Sequence, residues 1–212
     1  MSPKSFLEVR TMKLYLLRHG ETDWNKVRKI QGCTDIPLND YGRELARKTG
    51  EGMKDIVIDL VITSSLSRAR ETAELVMAGR TVETIENPQI QEMDFGEYEG
   101  RPSDEEPTAS ILKAFFKNPG AYPPPEKGES IPELLVRTGR FLETLYQDEA
   151  LRDKSILIST HGAAMTGLVN NIKGQLETND FWKMGVPPNC AVTIVSVENG
   201  KAVIEEENHI FY

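Results

Sequence analysis

The chain has 212 residues and a formal net charge of −8 at pH 7, and this length favours a single domain, residues 1–212, with a sizeable hydrophobic core. Nucleic acid is not an expected partner, because its binding requires a broad basic surface. No apolar run approaches the ~18 residues of a membrane-spanning helix, so no contact with a membrane is expected. The two cysteines lie far apart in the sequence, which favours a reducing, cytoplasmic environment over a disulfide framework.

The first part of the chain alternates apolar runs with helical patterns. Residues 1–11 lack the apolar stretch of a signal peptide and are interpreted as an N-terminal extension. A helix is predicted from Asn39 or Asp40 to about Met53, and another, capped within residues 64–67, to about Met77. Short apolar runs predict buried strands at residues 13–17 and 59–63, and a third short strand is predicted at residues 82–85.

The middle of the chain is rich in proline, with seven of the twelve prolines between Pro102 and Pro132. Proline lacks a backbone N–H and fixes φ, so this stretch cannot be regular core structure throughout. We interpret residues 101–128 as a surface excursion or lid. Four of its side chains are candidates for contacts with a leaving group, although packing is the expected role of the two phenylalanines: Lys113, Phe115, Phe116 and Lys117.

The last part of the chain completes an α/β pattern. Ser130 and Glu133 form a capping-box sequence that predicts the start of an amphipathic helix. Residues 155–160 predict a fourth buried strand, followed by a helix to about Ile172. A closing hairpin is predicted around Asn199-Gly200. The predicted fold is a three-layer α/β sandwich with a mostly parallel central sheet, helices on both faces and an antiparallel edge.

Basic side chains follow three of the predicted strands. Arg18 and His19 follow the first, Arg68 follows the second, and His161 follows the fourth. Ligands of open α/β sheets bind outside the carboxyl ends of the strands. A lone histidine there often serves only packing or capping, but two of the three histidines in this chain occupy equivalent places, and each precedes a glycine. A plain turn would also explain either glycine.

Arg68 provides an independent indication of an anion. It falls in the first turn of a predicted helix, where the helix dipole disfavours a cation. A salt bridge with Glu71 or Asp59 would explain an arginine at this position. A bound phosphate would offset the repulsion between the arginine and the helix dipole more completely. The chain contains neither a P-loop sequence nor a zinc-type spacing of cysteine and histidine, so no metal is expected.

Arg18 and His19 lie in the motif Leu16-Leu17-Arg18-His19-Gly20-Glu21-Thr22, which is followed by Trp24-Asn25. This motif resembles the Arg-His-Gly signature of the histidine phosphatase (phosphoglycerate mutase-like) superfamily. Further similar segments follow in order, and the resemblance extends from Met12 onward: Gln31-Gly32 with Asp35-Ile36-Pro37-Leu38, Thr63 to Ala69, Glu92 to Gly96 with Glu99-Gly100, Gly128-Glu129-Ser130 and His161-Gly162.

The resemblance implies a reaction through a phosphohistidine. It implies that His19 attacks phosphorus, that Arg18, Arg68 and His161 hold the equatorial oxygens, and that Glu92 protonates the leaving oxygen. For this, Glu92 must carry a proton near neutral pH, which burial or the neighbouring acids Asp94, Glu97 and Glu99 could cause. Without the resemblance, an ordinary solvated acidic loop would explain this cluster. The substrate-binding residues implied are Asn25, Gln31, Gly32 and Gly162.

Several functions are compatible with the motifs. Mutases carry a Glu-Arg-His-Tyr-Gly type of block at the acid position, whereas Glu92-Met93-Asp94-Phe95-Gly96 resembles the phosphatase branch. We therefore predict a metal-independent phosphomonoester hydrolase without a cofactor, acting on a small phosphorylated metabolite. The alternatives are a cofactor-dependent phosphoglycerate mutase, an alpha-ribazole phosphate phosphatase and, least favoured, a non-catalytic protein that binds a phosphorylated ligand. A homodimer is left open.

Overall fold

The computed structural model describes residues 11–212. In this part of the chain a six-stranded sheet is surrounded by six α-helices. The elements in chain order are β1 (Thr11–Arg18), α1 (Asp23–Lys26), α2 (Asp40–Gly52), β2 (Leu60–Thr63), α3 (Ser67–Val76), β3 (Glu83–Glu86), α4 (Thr108–Lys117), α5 (Ile131–Gln147), β4 (Ser155–Thr160), α6 (Gly162–Lys173), β5 (Val192–Glu198) and β6 (Lys201–His209).

The predicted N-terminal extension lies almost entirely outside the described residues. Its last member, Thr11, is the first residue of β1 and pairs with Glu198 of β5. None of the helices described in residues 11–212 is both long and apolar enough to cross a membrane.

The strand order β3-β2-β4-β1-β5-β6 confirms the predicted mixed sheet. The first four strands are mutually parallel, whereas β5 runs antiparallel to β1 and β6 antiparallel to β5. The closing hairpin turns at Asn199 and Gly200, with φ of 52° and 75°. Two successive residues with positive φ match the twist of the flanking strands, which explains the Asn-Gly sequence.

Helices cover both faces of the sheet, as predicted. Side chains of α5 and α6, including Phe141 and Leu168, pack on one face against Leu16 and Ile158. Those of α2 and α3, including Leu45, pack on the other face. Because apolar residues occur on both sides of each central strand, the strands appear in the sequence as continuous apolar runs rather than as alternating patterns.

The helix starts were predicted with mixed success. The capping box at Ser130 and Glu133 is confirmed at the start of α5. The N-cap of α3 falls within the predicted residues 64–67, at Leu66, but the expected side-chain cap is absent, because leucine has no side chain able to accept a hydrogen bond. The carboxylate Oδ1 of Asp35, from a distant loop, instead accepts hydrogen bonds from Ser67 N and Oγ, both at 2.7 Å.

The proline-rich excursion contains a helix that the sequence did not predict. Phe115 of α4 is 1% exposed and packs among aromatic rings, including Phe95, Tyr122 and Trp182 at centroid distances of 4.9 to 5.2 Å. This confirms packing as the role of Phe115. The next residue, Phe116, is 39% exposed.

Candidate active site

The register of the sheet brings the two predicted histidines together. β1 and β4 are adjacent and parallel, and Arg18 lies opposite Thr160. The residues that follow, His19 and His161, therefore leave the sheet side by side, with ring centroids 5.2 Å apart. Both rings are buried, at 2% and 0% exposure.

His19 has one ring nitrogen fixed by the backbone. Its Nδ1 lies 2.6 Å from the carbonyl oxygen of Gly20, and since a carbonyl only accepts, Nδ1 carries the proton. The neutral ring then has a lone pair on Nε2. Burial lowers the pKa of His19 well below its usual value, and the positive charges of Arg68 and Arg18 lower it further. The ring is thus neutral near pH 7, with a lone pair on Nε2.

His161 lies behind the arginine rather than in the cavity. Its Nδ1 accepts a hydrogen bond from Nε of Arg68 at 3.2 Å, so in the neutral ring Nε2 carries the proton and faces Ser64 Oγ at 2.8 Å. Burial lowers the pKa of His161 well below its usual value, and Arg68 and His19 add to this effect. Its interactions with the site therefore pass through Arg68 and His19.

Arg68 is fully buried, and no carboxylate in residues 11–212 pairs with it. Its guanidinium donates to the carbonyl oxygens of Thr34, at 2.9 Å, and Gly32, at 2.7 Å. The alternative of a salt bridge to Glu71 or Asp59 is wrong, because Glu71 pairs with Arg43 at 2.6 Å and Asp59 accepts from Ser155 N at 2.8 Å. A buried arginine bound only to neutral groups leaves its positive charge available to an anion.

Arg18 provides the second positive charge. One terminal nitrogen of its guanidinium donates to the carbonyl of Pro187, whereas its Nε is buried and has no hydrogen-bond partner in residues 11–212. Burial lowers the pKa of Arg18, and the Glu92 carboxylate opposes this change, but an arginine stays protonated. A buried donor without a partner is costly, and a bound anion would satisfy it.

Glu92 lies at the N-terminus of α6. Its Oε1 accepts hydrogen bonds from the backbone N–H groups of Met93, Ala163 and Ala164 at 2.9 to 3.1 Å. The other oxygen, Oε2, accepts only one, from Ala163 at 3.2 Å, among the described residues. This geometry fixes the carboxylate beside Gly162 and leaves Oε2 as the oxygen with free hydrogen-bonding capacity.

The acids near Glu92 in sequence have other partners. Glu99 accepts hydrogen bonds from the backbone N–H groups of Cys33 at 2.8 Å and Thr34 at 2.7 Å, and it also accepts from the N–H of Phe95 at 3.1 Å. This carboxylate therefore fixes the loop whose carbonyls hold Arg68. The other two acids are bound locally, with Asp94 accepting from Gly96 N at 2.7 Å and Glu97 pairing with Arg101 at 3.4 Å.

All four predicted substrate-binding residues line the same cavity, of about 220 Å³, as His19, Arg18, Arg68 and Glu92. They are Asn25, Gln31, Gly32 and Gly162. A buried hydroxyl to which the sequence analysis gave no role lies next to two of these residues: Thr22 Oγ1 lies 3.2 Å from Asn25 Oδ1 and 2.9 Å from Gln31 Oε1 and can donate its one proton to either. Gly32 has φ of 54°, and a Cβ there would lie 1.9 Å from the Glu99 carboxylate, so glycine is required.

The cavity is cationic although the protein is acidic. Glu92 is the one acidic side chain that lines it in the described part of the chain. Arg28 and Lys29 also line it and were missed, because no local pattern indicates which surface cations face a cavity. The candidates Lys113 and Lys117 are exposed and do not line it. Its apolar wall comprises Ile30, Phe95, Leu112, Phe115, Phe116, Ala163, Trp182 and Val186.

Within residues 11–212, no group of three or more histidine, cysteine or acidic side chains is arranged to hold a metal ion. Cys33 and Cys190 are free thiols. Burial raises the pKa of each to about 12, so both stay protonated at neutral pH.

A neutral imidazole with a free ring nitrogen, close to one buried and one partly buried arginine at the carboxyl edge of parallel strands, is typical of proteins that bind or transfer phosphoryl groups. Residues 14–210 match the family model described as the histidine phosphatase superfamily (branch 1). The chain belongs to this family, and the resemblance predicted from the motifs is confirmed.

Curated relatives carry both phosphatase and mutase names. The chain is 39% identical to a protein named uncharacterized phosphatase PhoE of Bacillus subtilis, over 75% of this chain and 76% of the relative. It is 37% identical to the probable phosphoglycerate mutase GpmB of Photorhabdus laumondii, over 77% and 75% of the two chains.

Solved structures confirm the fold. YhfR of Bacillus stearothermophilus superposes with a TM-score of 0.85 at 30% identity, over 93% of this chain and 97% of that one. A putative alpha-ribazole-5'-P phosphatase of Escherichia coli gives 0.82 at 26% identity, over 93% and 96%. A mutant phosphoserine phosphatase of Entamoeba histolytica, in complex with phosphoserine, gives 0.79 at 28% identity, over 93% and 97%.

Proposed function

We propose that this protein is a metal-independent phosphomonoesterase that acts on a small phosphorylated metabolite through a phosphohistidine at His19. One observation carries the proposal: the Nδ1 contact to Gly20 leaves Nε2 of a buried, neutral His19 as the free nitrogen in a cavity that Arg18 and Arg68 also line. The similarity to proteins named phosphatases and to a phosphatase bound to phosphoserine supports it.

In the first step, the Nε2 lone pair of His19 attacks phosphorus in line with the leaving oxygen, and the P–O bond to that oxygen breaks. Arg18 and Arg68 neutralise the equatorial oxygens as charge develops on them. His161 holds Nε of Arg68 in place. A proton on Oε2 of Glu92, the oxygen with free hydrogen-bonding capacity, passes to the leaving oxygen.

In the second step, water takes the place of the released alcohol. Glu92, now a carboxylate, removes a proton from this water as its oxygen attacks the phosphohistidine. The P–N bond breaks, inorganic phosphate leaves, and both His19 and Glu92 return to their starting protonation states. The backbone N–H groups that fix Glu92 at the start of α6 serve both steps, because they hold the carboxyl group in one place.

A phosphoglycerate mutase is the second candidate, because a relative that is 37% identical carries the name probable phosphoglycerate mutase. In a mutase the phosphohistidine transfers its phosphoryl group to a second hydroxyl of a bound acid instead of water. An alpha-ribazole phosphate phosphatase is a narrower version of the main proposal, supported by the similarity to a structure of that name. A binding protein without turnover is disfavoured, because His19 and Glu92 are both present in the cavity.

The test is a panel of phosphomonoesters in the presence of a chelator, including 3-phosphoglycerate with its bisphosphate cofactor. Phosphate release and isomerisation are both recorded, and rapidly quenched protein is analysed by mass spectrometry for an acid-labile phosphohistidine. We expect phosphate release with the label on His19, and a loss of at least about 10³-fold in kcat for His19→Ala.

The matched control is His209→Ala, which removes a histidine at the end of β6 that pairs with Glu206 and does not line the cavity, and which should leave kcat unchanged. Isomerisation without phosphate release would instead assign the mutase reaction. Phosphate release that requires an added divalent cation would contradict the metal-independent mechanism.

A further inference from the structure

Two neighbouring cations lie at the rim of the cavity and have no part in the phosphoryl chemistry. Arg28 is exposed and Lys29 is partly exposed, and both line the same cavity as His19. Acidic residues outnumber basic ones in this chain by 33 to 25. Even so, neither cation forms an ion pair within residues 11–212, whereas Arg43, Arg70 and Arg101 do.

The backbone around these two residues is held on both sides. The carbonyl of Arg28 accepts a hydrogen bond from Ser103 N at 2.9 Å, and Lys29 forms an isolated β-bridge with Pro102. Arg28 has φ of 55°, a left-handed conformation that is uncommon for a residue with a side chain. The Nζ of Lys29 lies 5.8 Å from the ring centroid of Trp24. These contacts hold the backbone of Arg28 and Lys29 in place beside the cavity.

The rest of the cavity limits what these charges can bind. Arg18 and Arg68, beside His19, take the phosphoryl group in the proposed function. The rest of the wall is mostly apolar, with side chains that include Leu112, Phe116 and Trp182, and its uncharged polar side chains are Asn25, Gln31 and Ser103. A substrate that fills the cavity would therefore contact the two arginines with its phosphoryl group, and the rest of it would meet apolar side chains and the more exposed cations Arg28 and Lys29.

We propose that Arg28 and Lys29 bind a second anionic group of the substrate, such as a carboxylate, and so select bifunctional phosphomonoesters over those with a neutral leaving group. This inference rests on the proposed function only in taking the cavity as the site of a phosphomonoester. A carboxylate fits both residues, because a guanidinium can bind it through two parallel hydrogen bonds and an ammonium through charge.

The test measures binding and therefore does not depend on turnover. Benzylphosphonate and 4-carboxybenzylphosphonate share a non-hydrolysable phosphoryl group and an apolar ring, and they differ only in the carboxylate. Their dissociation constants are measured by calorimetry for the unmodified protein and for Arg28→Gln/Lys29→Gln. We expect the carboxylated ligand to bind the unmodified protein about tenfold more tightly, and the double variant to lose most of this preference.

The control variant, Lys26→Gln/Arg47→Gln, removes the same two charges from exposed positions that do not line the cavity. It should keep the preference, and all three proteins should bind benzylphosphonate alike, which also shows that they are folded. Equal binding of the two ligands by the unmodified protein, or a preference that survives in Arg28→Gln/Lys29→Gln, would overturn the inference and leave the phosphatase proposal standing. Failure of both ligands to bind would overturn both proposals.

Discussion

At the scale of single residues, the site depends on a carboxylate that does not enter the cavity. Glu99 accepts hydrogen bonds from the backbone N–H groups of Cys33 and Thr34. The carbonyls of Thr34 and Gly32, in the same loop, accept from Arg68. A chain of hydrogen bonds thus runs from Glu99 to the guanidinium that we expect to hold the phosphoryl group. Glu99 is a positioning residue in this scheme.

Glu99→Gln tests that role. The amide side chain has nearly the same shape, but its NH₂ group must face at least one of the backbone donors that the carboxylate accepted. We expect the free energy of unfolding to fall by about 1–3 kcal/mol and kcat to fall at least about tenfold as Arg68 loses its fixed position. Urea unfolding and steady-state kinetics measure the two effects.

Glu97→Gln is the matched control, because Glu97 is exposed and pairs only with Arg101 among the described residues. This variant should resemble the unmodified protein in both measurements. If Glu99→Gln lost stability but kept kcat at saturating substrate, the carboxylate would support the fold without positioning Arg68.

At the scale of elements, the sequence predicted those helices and strands whose positions depend on residues that are close together in the chain. The apolar runs located the strands, and the capping box located the start of α5, because both depend on residues close together in the chain. The parallel alignment of β1 with β4 then placed His19 beside His161. The cap of α3 and the helix α4 were not predicted. The first depends on Asp35, from a loop far away in sequence, and the second on aromatic packing around Phe115.

In the site, too, the features that depend on residues far apart in the sequence were not predicted. Arg18, His19, Arg68 and Glu92 lie in motifs, and the cavity includes all four. The partners of Arg68 could not be predicted, because its hydrogen-bond acceptors are backbone carbonyls, which any residue type could supply. The sequence also did not predict that Arg28 and Lys29 line the cavity. Their position depends on how the excursion, residues 101–128, packs against them, and no local sequence pattern contains that information.

The cap supplied by Asp35 gives a prediction for α3. Asp35→Ala removes the acceptor for Ser67 N, at the helix end that presents Arg68 to the site. We expect the free energy of unfolding to fall by about 1 kcal/mol, the usual cost of a lost N-cap, together with a rise in KM as Arg68 becomes less well held. Thermal or urea unfolding and substrate titration provide the measurements.

Asp35→Asn should retain most of both properties, because an amide oxygen can accept the same hydrogen bond. Asp40→Ala, an exposed carboxylate in the first turn of α2, is the control for charge. Equal KM values for Asp35→Ala and the unmodified protein would show that the cap stabilises α3 without affecting the site.

At the scale of the whole molecule, the protein concentrates positive charge inside an acidic chain. Arg18, Arg68 and the two buried imidazoles interact, and burial lowers the pKa of both histidines, with the charges of the two arginines lowering it further. This arrangement has a cost at low pH, because the unfolded chain can take up protons on histidines that the folded chain keeps neutral. The site therefore links the stability of the fold to pH.

The sign of this linkage follows from the lowered pKa values of His19 and His161. Below the ordinary histidine pKa of about 6.5, the unfolded state binds more protons than the folded state, so the free energy of unfolding falls as pH falls. Each histidine contributes a slope of up to about 1.4 kcal/mol per pH unit, and this contribution vanishes well above about pH 6.5.

His19→Asn isolates one of these contributions. Between about pH 6 and about pH 5, we expect the unmodified protein to lose about 1 kcal/mol more of its free energy of unfolding than the variant does. Urea unfolding in phosphate-free buffer measures the difference, because phosphate bound in the cavity would itself stabilise the fold. Carboxylates titrate in both proteins and cancel in the comparison. Parallel pH profiles for the two proteins would mean that His19 accepts a proton in the folded state about as readily as in the unfolded chain, and they would remove the basis for treating it as a neutral nucleophile in mildly acidic solution.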